Sequence, residues 1–269
     1  MKKVSVITIN YNNKEGLRKT IESVLCQTFT DYEFIVIDGG STDGSLEVIE
    51  AFASRIDYWV SEPDRGIYHA MNKGIAAAKG RYCNFMNSGD CFYEPHVLEK
   101  VFAEQPDEDI LFGKYASERF PQGMAYPCPV TMLTLYKTHP NHQACFLKRS
   151  LFDGHPYDES FRIASDWKFF IECLIFRQCS YRPIDVVVAY YDQTGISSVN
   201  HEWYEKERKQ ILEALLPERI YADYRYLARA DSPLLQLTPY FNRTRGFQRL
   251  IYNLTYLLIR IRSFFTRQG

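Results

Sequence analysis

Two aspartates in this sequence come directly after apolar runs that have the composition of buried strands. Asp38 ends the run Phe34–Ile37, and Asp90 closes a short polar turn after the run Arg81–Met86. In open α/β sheets, ligands bind outside the carboxyl ends of the strands, so we expect both carboxylates at one edge of the same sheet. Carboxylate oxygens are ligands that Mg²⁺ and Mn²⁺ prefer. The pair therefore predicts a site for a nucleotide together with a divalent metal ion.

The elements that must position these aspartates alternate between strand and helix as far as Phe112. We predict strands at Val4–Ile9, Tyr32–Ile37, Tyr58–Val60, Arg81–Met86 and Asp109–Phe112. We predict helices at Lys14–Gln27, Ser45–Ala53, Ile67–Lys79 and Pro95–Glu104. Such alternation is typical of a parallel sheet that is covered by helices.

The remainder of the chain is less regular. Residues 113–143 contain four prolines and are expected to form a lid or insertion on the acceptor side. After them we predict a strand at Ala144–Leu147, a helix at Ser165–Phe176, a strand at Ile184–Tyr190, a polar loop at Asp192–Val199 and a helix at His201–Leu216. These elements predict one domain over residues 1–200, with halves 1–112 and 113–200, and a helical extension over residues 201–269.

Composition and charge exclude several classes of protein. The 269 residues carry a formal net charge of -1, so no overall field attracts nucleic acid. Seven cysteines occur without any C-x-x-C pair, which predicts neither a zinc site nor a disulfide framework and fits reduced thiols in the cytoplasm. The apolar run Val4–Ile9 is too short for a signal peptide, and no apolar stretch is long enough to span a bilayer.

The C-terminal segment has a different character. From Arg243 onwards there are six arginines and no acidic residue, interspersed with apolar residues at helical spacing between Phe247 and Phe265. A basic amphipathic helix of this kind can lie in a membrane interface. The alternative is a helix that packs on the domain or on a partner subunit. The membrane interpretation predicts a peripheral protein on the inner face of the cell membrane.

Four ordered motifs resemble those of the family 2 glycosyltransferases. They are Val4–Asn12 (VSVITINYN), Phe34–Ser45 (FIVIDGGSTDGS), Ser61–Gly74 (SEPDRGIYHAMNKG) and Arg81–Asp90 (RYCNFMNSGD). The resemblance implies a GT-A fold, that is, an α/β structure with a mostly parallel, Rossmann-like central sheet sandwiched by helices. It also implies transfer of a sugar from a nucleotide diphosphate sugar to a hydroxyl acceptor, with inversion and with Mn²⁺ or Mg²⁺ as cofactor.

The resemblance assigns roles to three side chains. Asp90 matches the last acid of the family's metal-binding motif, although Gly89 stands where many members have another acid. Asp166 matches the late aspartate that acts as general base, and His201 follows the late loop, where a histidine reaches the metal in some members. The alternatives are that Asp90 organises a turn or caps the helix predicted to start at Pro95, that Asp166 caps or begins a helix, and that His201 simply starts a helix.

Other positions of the motifs match residues that line the donor and the acceptor. The predicted nucleotide-sugar residues are Ile9, Asn10, Asp38, Gly39, Asp64, Arg65, Asn72, Ser88 and Gly89. The residues predicted on the acceptor or diphosphate side are His142, Gln143, Trp167 and Ser197. Asp38 matches the acid that binds the base, and its alternative role is an Asx-turn. Arg65 can pair with a phosphate or bridge two loops, and Trp167 can stack on an acceptor or pack in the core.

Taken together, the resemblance implies an inverting hexosyl- or N-acetylhexosaminyltransferase with UDP as the favoured nucleotide. A cytoplasmic enzyme with a basic tail suggests a lipid-linked acceptor in the synthesis of a cell-surface polysaccharide. The alternative is an accessory protein that binds a nucleotide sugar without catalysis, which the glycine at position 89 favours. A nicotinamide enzyme is disfavoured, because no G-x-G-x-x-G follows the first strand.

Overall fold

The computed structural model describes residues 2–192 and 200–229 and, nearer the C-terminus, residues 246, 249–250 and 252–256. The chain divides into two compact units, residues 1–215 and residues 216–269. The first unit contains all the strands of the described part and every site residue discussed below. The predicted domain boundary at residue 200 stays a prediction.

The strands and helices have the following bounds. The strands are β1 (Val4–Asn10), β2 (Tyr32–Asp38), β3 (Tyr58–Ser61), β4 (Tyr82–Phe85), β5 (Cys91–Phe92), β6 (Ile110–Ala116), β7 (Cys145–Lys148) and β8 (Tyr181–Tyr190). The helices are α1 (Lys14–Leu25), α2 (Ser45–Phe52), α3 (Ile67–Ala77), α4 (Val97–Phe102), α5 (Met132–Lys137), α6 (Ser165–Ile171), α7 (His201–Leu215) and α8 (Glu218–Arg229). Short 3₁₀ turns cover Ala53–Arg55, His142–Ala144 and Arg149–Phe152.

One sheet organises the described part of the first unit, in the order β3-β2-β1-β4-β7-β6-β8-β5. The pairs β1–β2, β2–β3, β1–β4 and β6–β8 are parallel. β7 runs antiparallel to both of its neighbours, and β5 runs antiparallel to β8. The predicted α/β fold with a mostly parallel sheet between helices is therefore confirmed.

Register brings the predicted site residues together. Asn10, the last residue of β1, lies directly opposite Asp38, the last residue of β2. β4 pairs with the other side of β1, so the turn that carries Asp90 leaves the sheet at the same edge. β1 is buried along its whole length because helices cover both faces of the sheet, and this explains its uninterrupted apolar run.

Several elements differ from the predictions. The insertion at 113–143, predicted to be irregular, contains the end of β6 and all of α5. The helix predicted at Ser165–Phe176 is α-helical only to Ile171 and continues as a π-helical segment over Glu172–Phe176. β5 has two residues and gives no periodic signal, and α8 lies within the predicted helical extension, although its bounds were not predicted. Among the described helices, none combines the length and apolarity that crossing a bilayer would need.

Glu33 ties the first parallel strands together from a buried position. Its Oε1 accepts hydrogen bonds from the hydroxyl of Ser5 and from the backbone N–H groups of Lys79 and Gly80. Glu33→Ala is expected to lower the free energy of unfolding by about 2–4 kcal/mol, because it leaves buried donors unpaired. Chemical denaturation measures the change, with Glu50→Ala on the exposed side of α2 as control. A loss no larger than in the control would contradict this structural role.

Candidate functional site

Asp38 lies at the carboxyl end of β2 and is completely enclosed by protein. Its Oδ1 accepts hydrogen bonds from Asn10 Nδ2 (2.7 Å) and Ser41 Oγ (2.6 Å). Its Oδ2 accepts from the backbone N–H of Ser41 (2.9 Å) and from Ser61 Oγ (2.6 Å). Burial opposes ionisation, but these hydrogen bonds outweigh it and lower the pKa of Asp38. The carboxylate thus organises the turn after β2, as its alternative role proposed, and Asn10 serves the same network.

Asp64 approaches the backbone of this turn at Gly39. A Cβ placed on Gly39 would lie 3.2 Å from Asp64 Oδ2, so the absence of a side chain at Gly39 leaves room for the carboxylate. Oδ1 of Asp64 contacts Lys73 Nζ at 2.5 Å and His69 Nδ1 at 3.0 Å. Among the described residues, Asp64 forms its hydrogen bonds through Oδ1 only, and Oδ2 lies beside Gly39.

Arg65 and Asn72 contact the segment around Glu159. The Arg65 guanidinium is largely exposed and pairs with Glu159 at 2.6 Å. Asn72 donates to the carbonyl of Tyr157 (2.9 Å) and to Glu159 (3.1 Å), and accepts from the backbone N–H of Tyr157 (3.0 Å). Asn72 therefore fixes this segment to α3, and its predicted contact with the donor stays a prediction. The predicted contact of Arg65 with a phosphate also stays a prediction.

The turn from Asn87 to Asp90 is held against β1 and α1. The backbone N–H of Ser88 donates to the carbonyl of Ile9 at 3.1 Å. The Thr20 hydroxyl accepts from the N–H of Gly89 (3.0 Å) and donates to the carbonyl of Asp90 (2.6 Å). Gly89 has a φ of 105°, which a residue with a side chain rarely adopts. These contacts place the Asp90 carboxylate at the edge of the sheet beside the ends of β1 and β4.

Asp90 is a buried carboxylate held by neutral donors. Oδ2 accepts from Gln143 Nε2 at 2.7 Å, and Oδ1 accepts from the backbone N–H of Asp192 at 2.8 Å. Burial raises the pKa of Asp90 to about 6, and the charge of Asp192 adds to the rise, while the two hydrogen bonds and His142 oppose it. A divalent cation would relieve the cost of keeping this group ionised, so the chemistry of the site fits a metal ion.

Asp192 supplies a second carboxylate at this point. Its Oδ2 lies 2.9 Å from the position that a Cβ of Gly89 would occupy. The acid that the sequence lacks at position 89 therefore has a spatial counterpart from the end of β8. Sequence reasoning placed Asp192 only in a polar loop, because nothing in its local sequence indicates that β8 ends beside the turn of β4.

Asp166 lies near the start of α6 and accepts four hydrogen bonds. Tyr68 Oη (2.7 Å) and the backbone N–H of Trp167 (2.9 Å) donate to Oδ1. His142 Nδ1 (2.8 Å) and His139 Nε2 (3.2 Å) contact Oδ2. Burial opposes the charge, but the two histidines outweigh it and hold the pKa of Asp166 well below its usual range. Asp166 is thus an ionised carboxylate with two imidazoles on one oxygen.

The segment His142–Gln143 connects the two aspartates. Gln143 contacts Asp90, while His142 contacts Asp166 through Nδ1 and the side-chain amide of Asn87 through Nε2 at 3.1 Å. In the described part of the chain, the donor atoms of His139, His142 and Asp166 lie within 4.8 Å of one another, a set that can also hold a transition metal. The predicted site residues therefore form two neighbouring carboxylate centres.

The remaining predicted residues have different positions. The Trp167 side chain is fully buried and donates to the carbonyl of Leu135 at 2.9 Å, so it packs beneath the site instead of stacking on an acceptor. Ser197 and the side chain of His201 lie outside the described residues. Three residues were missed: Tyr68, His139 and Asp192. His139 lies three positions before His142 in the sequence, and this spacing was the only local signal that could have indicated a role for His139.

Comparison with known proteins identifies glycosyltransferases as relatives of this chain. The model of the glycosyl transferase family 2 matches residues 5–121. A PGL/p-HBAD biosynthesis glycosyltransferase of Mycobacterium bovis is 32% identical over 200 residues, which cover 71% of this chain and 77% of that protein.

Two solved structures share the fold. S. aureus TarS 1-349 in complex with UDP-GlcNAc has a TM-score of 0.64 at 19% identity, covering 91% of this chain and 77% of that one. A longer TarS chain also matches, and the match covers 45% of that longer chain. A Pyrobaculum calidifontis mannosyltransferase in complex with GDP-Man and Mn²⁺ has a TM-score of 0.60 at 16% identity, covering 95% of this chain and 85% of that one.

Proposed function

This chain belongs to glycosyltransferase family 2, and we propose that it transfers a hexosyl or N-acetylhexosaminyl group from a UDP-sugar to a hydroxyl acceptor, with inversion. The observation that carries the proposal is the bridge between Asp90 and Asp166. Adjacent residues of one segment contact the two carboxylates, Gln143 at 2.7 Å from Asp90 and His142 at 2.8 Å from Asp166. A group that neutralises the leaving diphosphate and a group that deprotonates the acceptor must lie on either side of one anomeric carbon.

The proposed metal site consists of Asp90 with Asp192, and His201, predicted from the sequence as a ligand beside Asp90, remains a prediction. Both aspartates offer oxygen ligands of the type that Mg²⁺ and Mn²⁺ prefer. When bound, such an ion supplies positive charge for the diphosphate that leaves. The contribution of the chain is to hold Asp90 through Gln143 and the backbone of Asp192. The Mn²⁺ in the Pyrobaculum mannosyltransferase supports this choice of ion.

For the base of the nucleotide, we propose Asp64 in place of Asp38. Asp38 has both oxygens occupied by protein donors, whereas Oδ2 of Asp64 lies beside Gly39 and accepts no hydrogen bond from the described residues. A carboxylate at this place can accept the ring N–H of uracil. The nucleotide would then be surrounded by residues at or just after the ends of β1, β2 and β4, namely Ile9, Asn10, Gly39 and Ser88. UDP-GlcNAc in the related TarS structure supports a UDP-sugar.

Asp64→Asn is expected to raise the KM for the donor by about 10-fold with little change in kcat, because a charge-assisted hydrogen bond to the base is lost. Initial rates with varied donor measure the effect. Glu62→Gln is the matched control, since Glu62 contacts the same Lys73 at 3.1 Å but has an exposed side chain. An unchanged KM in Asp64→Asn, or an equal rise in the control, would show that the base binds elsewhere.

A panel of nucleotide sugars tests the function as a whole. The full chain is incubated with UDP-hexoses, UDP-N-acetylhexosamines and GDP-mannose, with Mn²⁺ or Mg²⁺, and with free and lipid-linked glycans as acceptors. The mass of the product then identifies the sugar. Transfer from a UDP-sugar is the expected result. Binding of UDP without transfer to any acceptor would favour the non-catalytic accessory protein.

The acceptor that we propose is a lipid-linked glycan at the inner face of the cell membrane, in the synthesis of a cell-surface polysaccharide. The support comes from the second unit, in which Leu250, Tyr252, Leu254 and Tyr256 are exposed and arginines flank the segment. Most of residues 243–269 lie outside the described part of the chain.

Deletion of residues 243–269 is expected to move the protein from the membrane fraction to the soluble fraction, because both the apolar side chains and all six arginines are removed. Sedimentation with anionic vesicles measures the change, and a variant with the six arginines replaced by glutamine separates charge from apolar contact. Unchanged sedimentation of the deletion variant would refute the membrane role of this segment.

A further inference from the structure

One face of α7 contacts the surroundings of Asp166. The residues on that face are Tyr204, Glu207 and Arg208, whose positions i, i+3 and i+4 make them neighbours on a helix. The Tyr204 hydroxyl lies 3.2 Å from Nδ1 of His139, which is itself a partner of Asp166. α7 belongs to the first compact unit, together with the sheet. This helix therefore supports the carboxylate that is predicted to act as general base.

The carboxylate of Glu207 binds three successive backbone N–H groups just before Asp166. Oε1 accepts from the N–H of Arg162 at 2.8 Å, and Oε2 accepts from those of Ile163 (3.0 Å) and Ala164 (3.1 Å). These residues precede the first turn of α6, so no carbonyl of that helix is available to their N–H groups. Hydrogen bonds to a carboxylate are stronger than those to a neutral oxygen. Glu207 therefore fixes the backbone that leads into Asp166.

Arg208 holds the residue on the other side of Asp166. Its Cζ lies 4.9 Å from the ring centroid of Trp167, and its Nη2 donates to the carbonyl of Tyr136. A guanidinium over an indole ring is attracted by the negative face of the ring. The backbone N–H of Trp167 in turn donates to Oδ1 of Asp166 at 2.9 Å. Adjacent residues of α7 thus hold the chain immediately before and immediately after Asp166.

The backbone position of Asp166 limits where its carboxylate can meet an acceptor hydroxyl. Only 4% of the side chain is exposed, so the hydroxyl has a narrow approach to the carboxylate. Tyr68 and His142 contact the carboxylate oxygens at 2.7 and 2.8 Å, and these contacts also depend on the backbone position. A displacement of about 1 Å at a reacting group can lower a rate about 10²-fold. Loss of the Glu207 contacts would release the backbone that leads into Asp166 and allow a shift of this size.

We propose that Glu207 is a positioning residue for Asp166, the general base of the glycosyl transfer proposed above, on which this inference rests. In that reaction Asp166 takes the proton of the acceptor hydroxyl, whose oxygen forms the bond to the anomeric carbon. The bond from that carbon to the diphosphate breaks, and its electron pair leaves with the nucleoside diphosphate. Glu207 touches none of these atoms. Its carboxylate holds residues 162–164, so that Asp166 meets the hydroxyl at the required distance and angle.

Glu33 offers a matched control in the same chain. Its carboxylate also accepts hydrogen bonds from backbone N–H groups, those of Lys79 and Gly80. Glu33 lies near the start of β2, whereas Asp38 and the proposed site lie at the other end of that strand. Glu33→Ala is therefore expected to lower stability without displacing Asp166. Comparison of the two glutamates separates a loss of stability from a loss of positioning.

The first experiment compares Glu207→Ala, Glu207→Gln and Glu33→Ala at a temperature at which all three remain folded. In Glu207→Ala, kcat at saturating donor and Mn²⁺ is expected to fall about 10–100-fold, with the KM for the donor unchanged within about threefold. Glu207→Gln keeps an oxygen for the N–H groups of Ile163 and Ala164 and is expected to recover at least about fivefold of the lost kcat. Unchanged kcat in Glu207→Ala, or an equal fall in Glu33→Ala, would overturn the proposal.

A double-mutant cycle tests whether Glu207 acts through Asp166. In the Asp166→Asn background, Glu207→Ala is expected to lower kcat less than about threefold, because the group that Glu207 positions is already absent. Calorimetric binding of UDP is expected to stay within about threefold of wild type in every variant, since neither residue is assigned to the donor. If the two substitutions instead lower kcat independently, so that their effects multiply, Glu207 does not act through Asp166 and the proposal is overturned.

Hydrogen exchange measures the backbone contact without any sugar transfer. The amides of residues 162–164 are expected to exchange at least about 10-fold faster in Glu207→Ala than in wild type. Equal exchange rates would overturn the contact and the proposal. If wild type transfers no sugar from the donor panel, the proposed function fails, and the catalytic role of Glu207 fails with it. If wild type transfers sugar and Glu207→Ala does so equally fast, only the role of Glu207 fails.

Discussion

Replacement of Asp166 by asparagine is expected to lower kcat for sugar transfer by about 10³-fold while the KM for the donor changes little. The loss is expected in kcat because the hydrogen-bond partners of Asp166, which include His142, are not among the residues assigned to the donor. Without the carboxylate, the group predicted to take the proton of the acceptor hydroxyl is absent. Initial rates at saturating donor, with calorimetric binding of UDP as a second measurement, separate catalysis from binding.

The same substitution is expected to lower the free energy of unfolding by about 2–4 kcal/mol at neutral pH. The asparagine side chain has an NH₂ group in place of one carboxylate oxygen. That NH₂ group therefore faces two hydrogen-bond donors that the carboxylate oxygen accepted from. The pKa of Asp166 is depressed in the folded state, so its contribution is full above about pH 4 and is lost as the pH falls through the folded pKa. The difference in stability between wild type and Asp166→Asn should therefore shrink below about pH 4.

Asp158→Asn is the matched control. Asp158 is half-buried and pairs with Lys168 of α6 at 2.7 Å, but it contacts neither histidine. We expect this variant to keep kcat within about threefold, because it removes only a partly exposed ion pair. If Asp166→Asn keeps kcat to the same extent, Asp166 has no part in proton transfer, and only its structural role stands.

The regular part of the fold could be predicted from sequence because its signals are local. The apolar run of β1 and the helical spacing of Leu17, Ile21 and Val24 in α1 record burial directly. Strand ends after such runs also located Asp38 and Asp90. β5 could not be predicted, since two residues carry no periodicity. The antiparallel direction of β7 depends on the path of the insertion between β6 and β7, which no local pattern specifies.

The partners of each site residue are the part that sequence could not predict. Asp38 matched a base-binding acid by position, yet the hydroxyls of Ser41 and Ser61 enclose it, and Ser61 comes from a different strand. Asp64 and Asp192 stand where Gly39 and Gly89 leave space, and both approaches are long-range consequences of the fold. A glycine in a motif indicates that something comes close to the backbone, but only the structure identifies what.

Replacement of Asp90 by asparagine is expected to abolish metal-dependent transfer and, at the same time, to stabilise the protein. Burial and the neighbouring Asp192 raise the pKa of Asp90 to about 6. At about 1.4 kcal/mol per pKa unit, keeping this group ionised at neutral pH costs the folded state up to about 3 kcal/mol. A neutral amide removes that cost. It keeps its carbonyl toward the backbone N–H of Asp192, and Gln143 can rotate its amide to accept from the new NH₂.

The pH dependence distinguishes Asp90 from Asp166 because the sign is opposite. The folded pKa of Asp90 lies above the unfolded value, so the folded state binds the proton more tightly. In metal-free buffer, the destabilisation by Asp90 is full above about pH 6 and is relieved as the pH falls toward about 4. Asp90→Asn should therefore be more stable than wild type by about 1–3 kcal/mol at pH 8, and the difference should diminish below about pH 6.

Mn²⁺ should reverse this order of stability. A ligand that binds only the folded state stabilises it by an amount that grows with its concentration over its dissociation constant. Thermal denaturation of wild type should shift upward with millimolar Mn²⁺ and UDP, while Asp90→Asn should not shift with Mn²⁺. Glu47→Gln on the exposed face of α2 is the control and should behave as wild type. If Asp90→Asn keeps the Mn²⁺ shift, the ion is bound by other groups, and the His139–His142–Asp166 set becomes the site to test.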